Sequence, residues 1–419
     1  MPIRPWAKYC RRQQTHRRKM KERTIRSVLE GFQKVELEDL GDLLGGNLRP
    51  RMKKTEMVER LTSYLTKSPQ RWLSLLLERD ARLLRQLVHA GPDTVQMMDY
   101  ADYPSVLEVS GLVDFDDSDQ RTHKVWLRRE VYDIVAPHIE KAIHTAEQSG
   151  RFQLERVALG YLNLYGVLPS DQFVDLMMDY YDAEHESDYE SLVRTLKNSP
   201  LVKGNRFTDE RGDYLCSPCL MEAEDVFKLR LSHARSLDYA PFTWQEALEA
   251  GAGAPYFTIG LKTPEGAAFV SMLHRLGFDG FELVQTEYDF WIEAQLPQTD
   301  DSVFRVVDME EYRRKEPHTY DLYMKAVRDY VNSLPRWALK GHSASETGLL
   351  AYDIPKEGPP EIPYEEGQPV WSMPEPTVSE GYTQFLDEFP FMVPHVAPDD
   401  PCPCGSGLRY ARCHGRHPN

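Results

Sequence analysis

One stretch near the C-terminus constrains this chain more than any other. Positions 401–415 read Pro-Cys-Pro-Cys-Gly-Ser-Gly-Leu-Arg-Tyr-Ala-Arg-Cys-His-Gly. Cys402 and Cys404 stand one residue apart, and the adjacent pair Cys413 and His414 follows after eight intervening residues. Three thiolates and an imidazole are soft or borderline donors that leave no open position, the ligand set of a closed tetrahedral structural Zn²⁺ site. Gly405 and Gly407 can take positive φ and let the backbone turn tightly around the ion. Arg409, Arg412 and Arg416 lie close enough in sequence to offset the excess thiolate charge. A tail this short buries no core, so metal binding must supply most of its folding free energy. A disulfide from Cys402 or Cys404 to Cys413 is the competing chemistry. With only 6 cysteines in 419 residues the chain reads as cytoplasmic, where such a bond is disfavoured.

The pattern C-P-C-G-S-G, eight residues, then C-H-G resembles the SEC-C motif, first described at the end of the SecA translocation motor and appended to many unrelated bacterial proteins. The resemblance covers only the tail. It implies that Cys402, Cys404, Cys413 and His414 are the zinc ligands. It further implies a knuckle that contacts a protein partner such as a chaperone, or the ribosome. It does not carry over an ATPase, because no G-x-x-x-x-G-K-S/T loop is present to cradle phosphates.

Residues 353–400 separate this knuckle (401–419) from the rest. Twelve prolines fall within positions 355–403, among acidic residues, which predicts a semi-extended linker. Phe385, Phe389 and Phe391 form an aromatic patch within it that could dock on the body or on a partner.

Charge is divided along the chain as sharply as proline. Lys and Arg number 50 against 66 Asp and Glu, a net charge of −16. Yet residues 1–26 carry ten Lys/Arg and a single Glu. Arg11, Arg12, Arg17, Arg18 and Lys19 are the densest part of this basic arm, placed at 1–30. A basic arm on an acidic body suits a polyanion, since each neutralised phosphate releases counterions. It equally suits a solvated tail, or one folded back on the acidic body.

Residues 31–68 show helical periodicity. Leu37, Leu40, Leu43 and Leu44 share one face, Met57, Leu61, Tyr64 and Leu65 another, and Gly45, Gly46, Asn47 and Pro50 break the chain between them. Arg49, Arg51, Lys53 and Lys54 cluster at the start of the second helix, where the macrodipole disfavours cations and an external anion would favour them. The run LEDLGDLLGGNLRPRMKKTEMVERLTSYL resembles the SAP and Rho-N-terminal-like modules, which implies nucleic-acid binding, DNA or RNA. Any amphipathic hairpin would share the periodicity.

The body reads as mainly α with small β-hairpins, an α+β class. Residues 69–150 are helical with a hairpin across the acidic turn that starts at Asp114. That turn lacks the Gly and Glu of a calcium loop. Residues 151–240 order as helix, helix, helix at 191–198, then two strands at 201–207 and 214–216, which resembles a winged helix; residues 70–135 repeat the order loosely. Arg194, Lys197 and Asn198 on the third helix, with Lys203 and Arg206 on the wing, are its cations and polar readers. The acidic segment around 179–190 argues for protein contact instead. Residues 241–352 read as mainly helical, with a strand as the alternative for 281–292 because of its aromatics and partial alternation. Ser343 and Glu346 fit a capping box.

Cys216-Ser217-Pro218-Cys219 reads as a redox dithiol, half a zinc site, or two small buried residues, and its place after a strand favours the last. Gly341-His342-Ser343-Ala344-Ser345 lacks the final glycine of a nucleophile elbow. No stretch approaches a membrane span, and no apolar leader follows the basic N-terminus. The sequence therefore points to a soluble, non-enzymatic, zinc-binding modular protein that contacts nucleic acid through its arm and hairpin. The alternatives are an adaptor for ribosomes, a chaperone or secretion clients, and an enzyme with a site among scattered central acids.

Overall fold

The computed structural model describes residues 24–99, 106–116, 122–184, 189–220, 223–251, 258–296 and 302–355. The arm through Arg23, the linker from residue 356 and the whole zinc tail lie outside the described residues. The chain divides into two compact units, one comprising residues up to 163 with 167–223, the other 164–166 with 224 onward.

The first unit opens with three helices, α1 (Ile25–Gly31), α2 (Lys34–Leu43) and α3 (Lys54–Lys67). Helix α1 is absent from the sequence reading, which runs the basic arm through residue 30. Ile25, Val28 and Leu29 bury themselves, and Thr24 and Ser27 close a reciprocal capping box at its start. Three apolar residues on one face override the surrounding charge, because tertiary burial supplies what propensity does not. Helices α2 and α3 are the expected hairpin, sharing a core built from Leu37, Leu40, Leu61 and Leu65. The following α4 (Pro69–Leu73) seats Trp72, whose indole N–H donates to the Leu65 carbonyl at 3.0 Å, and α5 (Glu78–Ala90) continues the cluster.

Two small sheets then repeat one plan. After α5 come β1 (Gln96–Asp99), α6 (Val106–Val109), β2 (Asp114–Asp116) and β3 (Thr122–Trp126), with β3 central and antiparallel to both neighbours. Val125 stands opposite Gln96 on one side and Phe115 on the other. Helices α7 (Arg129–Val135) and α8 (Ile139–Gln148) lead to α9 (Arg151–Tyr165), which begins the second round. There β4 (Val167–Pro169), α10 (Ser170–Glu184), α11 (Tyr189–Asn198), α12 (Pro200–Gly204), β5 (Arg206–Asp209) and β6 (Gly212–Cys216) follow, again with the last strand central. In both rounds the strand order is first, third, second.

Three expectations change here. Residues 201–204 are helix rather than strand, since Pro200 opens a helical turn capped by the Ser199 hydroxyl. Lys203 therefore sits on α12 and not on a wing. The segment after Gly166, read from sequence as a turn alone, contributes the three-residue strand β4, whose pairing with β6 no local pattern announces.

The second unit is helical: α13 (Ala223–His233), α14 (Trp244–Ala250), α15 (Pro264–Arg275), α16 (Gly280–Gln295), a 3₁₀ turn at Ser302–Arg305, α17 (Glu310–Lys315), α18 (Pro317–Ser333), a second 3₁₀ turn at Trp337–Leu339 and α19 (Ala344–Thr347). Residues 281–292 are helix, not strand. Leu283, Val284, Phe290, Trp291 and Ala294 bury one helical face, and aromatic content alone did not distinguish the two periods. The core is aromatic: Phe269 stacks on Tyr330 with centroids 4.2 Å apart, and Trp291 meets Trp337 edge-on at 5.6 Å. The Ser343–Glu346 capping box is present, with Glu346 N–H donating to the Ser343 hydroxyl at 3.1 Å.

Candidate nucleic-acid interface and metal tail

The turn between α2 and α3 is built from within. Gly45 and Asn47 take left-handed φ of 75° and 48°. A Cβ on Gly46 would meet Leu61 Cδ2 at 2.7 Å, so the backbone approaches the core too closely for a side chain there. Met52 turns inward and is buried, while Tyr64 OH donates to the Leu44 carbonyl at 2.8 Å. With these anchors spent on the inside, Arg49, Arg51, Lys53 and Lys54 are left exposed on one short segment.

The four are not equivalent. Lys54 Nζ donates to the Glu30 carbonyl at 2.8 Å, at the C-terminal end of α1, where the helix dipole welcomes a cation. That gives one member a structural role, and it relieves part of the misfit of a lysine at the α3 N-terminus. Lys34 Nζ reaches the Pro50 carbonyl and so pins the turn from α2. Arg49, Arg51 and Lys53 form no ion pair with any described residue. Arg11, Arg12, Arg17, Arg18 and Lys19 lie outside the described residues.

In the second sheet round the cations are largely engaged. Arg206 pairs with Asp213 at 2.9 Å, and Arg211 with Asp209. Hydrogen bonds from Thr208 and then Arg206 hold the Asp213 carboxyl below the usual range, though the pair is solvent-facing. Lys203 Nζ donates to the Asp42 carbonyl at 3.3 Å and tethers α12 to α2. Arg194, Lys197 and Asn198 on α11 remain exposed.

Two charge clusters centred on buried side chains, Arg82 and Glu155 in one and Arg230 and Arg336 in the other, escaped the sequence reading. In the first unit Arg82 binds Glu78 and Glu147, each at 3.0 Å, and Arg156 closes on Glu78 at 2.9 Å. Nearby Arg151 grips both Glu155 oxygens at 2.9 Å, and the Ser199 hydroxyl donates to the same carboxylate at 3.2 Å. Burial nevertheless raises Glu155 to about 7, opposed by Arg151 and Ser199. In the second unit Arg230 is buried and donates to the Trp337 carbonyl at 2.9 Å, the Tyr165 carbonyl at 2.6 Å and the Tyr239 hydroxyl at 3.3 Å. Arg336, also buried, lies over the Tyr352 ring at 4.8 Å, and desolvation lowers its pKa. The i,i+4 pairs Glu78/Arg82 and Arg151/Glu155 were visible in sequence, but nothing local marked them as buried.

Cys216 ends β6 and is buried, while Cys219 is half-buried in the following turn. Among the described residues no group of three His, Cys, Asp or Glu side chains is arranged to hold a metal ion. No described helix is long and apolar enough to cross a membrane.

The described residues thus define a mostly helical protein carrying two small antiparallel sheets of identical strand order. Its tail belongs to a recognised class: residues 400–416 match the SEC-C motif, a module that is often zinc-binding. The match takes in Cys402, Cys404, Cys413 and His414. The SAP-like resemblance of the hairpin has no support from the comparisons. No curated protein and no solved structure matches the chain.

Proposed function

We propose that this is a cytoplasmic binding protein with two contact regions, a zinc knuckle at its C-terminus and a cationic surface at its N-terminus that engages nucleic acid. Cys402, Cys404, Cys413 and His414 hold one Zn²⁺ in the knuckle, which serves as a partner-contact module. The donor set fits the metal: three thiolates and one imidazole complete a tetrahedron, and nearby arginines balance the charge. The strand order shared by the two sheets supports reading both rounds as winged-helix-like modules. The paired cations of the second wing favour a scaffolding use for that module over duplex reading.

The observation that carries the nucleic-acid reading is the trio Arg49, Arg51 and Lys53. They stand exposed and without an acidic partner among the described residues, on a chain whose net charge is −16. Cations left unpaired on an acidic protein are the ones available to phosphate. The test is binding of the full, zinc-loaded chain to a labelled oligonucleotide across a salt series. Neutralising Arg49, Arg51 and Lys53 together is expected to shallow the log–log salt slope by about 2–3, close to 0.9 per lost phosphate contact. Neutralising Arg11, Arg12, Arg17, Arg18 and Lys19 lowers it further. Binding with an unchanged slope in both variants overturns the assignment. Retention of a protein partner that depends on Cys413, with no nucleic-acid binding at low salt, would leave the adaptor reading in its place.

A further inference from the structure

Arg336 is a cation that the second unit encloses without a counterion. It is 2% exposed, and its Nε and Nη1 have no hydrogen-bond partner among the described residues. No carboxylate among those residues pairs with it. What the guanidinium does meet is Tyr352: its Cζ lies 4.8 Å over the ring, and Nη2 donates to the hydroxyl at 3.3 Å. A ring face satisfies part of the charge, yet it accepts none of the remaining in-plane N–H groups. An unpaired buried charge is costly, and here the backbone enforces it. Gln295 grips both neighbours of Arg336, its amide donating to the Pro335 carbonyl at 3.0 Å and its carbonyl accepting from Trp337 N–H at 2.8 Å. Arg336 N–H donates to the His342 carbonyl at 3.1 Å, and Gly341 N–H donates to the Arg336 carbonyl at 3.0 Å. These bonds fix the root of the side chain inside the unit.

The cover over the guanidinium is the segment 348–352, which leaves α19 through two left-handed residues. Gly348 has φ +70° and Leu350 φ +51°, the latter a conformation that a bulky side chain adopts only under constraint. Asn332 pins the end of the segment. Its side-chain carbonyl accepts from Tyr352 N–H at 2.8 Å, and its amide donates to the Tyr352 carbonyl at 2.9 Å. The Tyr352 hydroxyl donates to the Ala294 carbonyl at 3.3 Å. Strain in the cover and an unmet charge beneath it are both relieved when the segment lifts and an anion replaces the Tyr352 hydroxyl.

We propose that Arg336 is the floor of a binding site for a small oxyanion, inorganic phosphate or a carboxylate, gated by Tyr352. The planar guanidinium matches the oxygens of either group, and its charge-assisted hydrogen bonds gain strength away from water. One buried cation suits one anionic group rather than a polyanion, which separates this site from the exposed cations of the first unit.

The test is thermal unfolding of the full, zinc-loaded chain in rising phosphate or acetate, against sodium chloride at equal ionic strength. A ligand that binds only the folded state raises the midpoint with its concentration. The expected result is a rise with phosphate or acetate that chloride does not reproduce. It is lost in Arg336→Met and kept when Arg49, Arg51 and Lys53 are neutralised. Asn332→Ala frees Tyr352 from both of its bonds and is expected to tighten the apparent Kd roughly tenfold, because the open state is more populated. That arm decides the matter even where Arg336→Met fails to fold. A rise of equal size in a folded Arg336→Met chain overturns the proposal, as does no rise beyond chloride in the wild-type chain. An apparent Kd that Asn332→Ala leaves unchanged or weakens overturns it too, as does a rise that disappears with Arg49, Arg51 and Lys53.

Discussion

Gly166 offers the sharpest test of how the second unit is packed. Its φ is +72°, and a Cβ there would lie 2.4 Å from Trp337 Cγ, 2.6 Å from Cδ2 and 2.8 Å from Cβ. These atoms are near the root of the side chain, so a rotamer change does not clear them. Trp337 is fully buried, its N–H is held by Gln295 at 2.8 Å and its carbonyl by Arg230 at 2.9 Å. Gly166→Ala therefore combines a left-handed backbone, costing about 1–2 kcal/mol, with overpacking of about 1–3 kcal/mol. Gly277 provides the control. Its φ is +91° and nothing lies within 4 Å of its would-be Cβ, so Gly277→Ala carries the backbone cost alone. Urea unfolding followed by tryptophan fluorescence should show a loss about 1–3 kcal/mol larger for Gly166→Ala than for Gly277→Ala. In a Trp337→Ala background the excess should shrink, because Cγ and Cδ2 are gone while the Cβ contact at 2.8 Å remains, as expected for residues coupled by direct contact. Equal losses in the two glycine variants, or an excess undiminished by removal of the indole, would refute the steric argument.

Other outcomes follow from the same structure. Burial pushes the Glu155 carboxyl up to about 7 in the folded chain, from an ordinary value of 4.5. The folded state thus binds the extra proton, and stability from this group is lost as pH rises from about 4.5 to 7, by a few kcal/mol at most. Glu155→Gln should flatten the unfolding midpoint between pH 5 and 7.5, and an unchanged slope would show that Arg151 keeps the carboxyl ionised throughout. Arg230→Met strips three hydrogen bonds, to the Trp337 and Tyr165 carbonyls and the Tyr239 hydroxyl, a loss of about 3–5 kcal/mol in urea titrations. Arg336→Met should cost much less, because the guanidinium has no carboxylate partner among the described residues and its burial is itself unfavourable. Purified full-length chain should carry about one zinc by elemental analysis, and Cys413→Ser or His414→Ala should abolish it. Zinc retained in both variants would exclude this ligand set.

Sequence alone determined the features that depend on neighbours in the chain. Periodicity drew the α2–α3 hairpin around a glycine break, and the Ser343–Glu346 spacing gave the capping box of α19. Ligand spacing placed the SEC-C motif, because four donors within fifteen residues need no distant partner to be recognisable. What only the tertiary structure decided depends on partners far away in sequence. Residues 201–204 are short and apolar enough for either period, and the packing of α12 on α2 selects helix. Strand β4 has three residues and exists through its pairing with β6. Glu155, Arg230 and Arg336 look like surface charges in one dimension. They are buried because other elements close over them, and whether a charge is stabilised or strained follows from that enclosure rather than from its own identity.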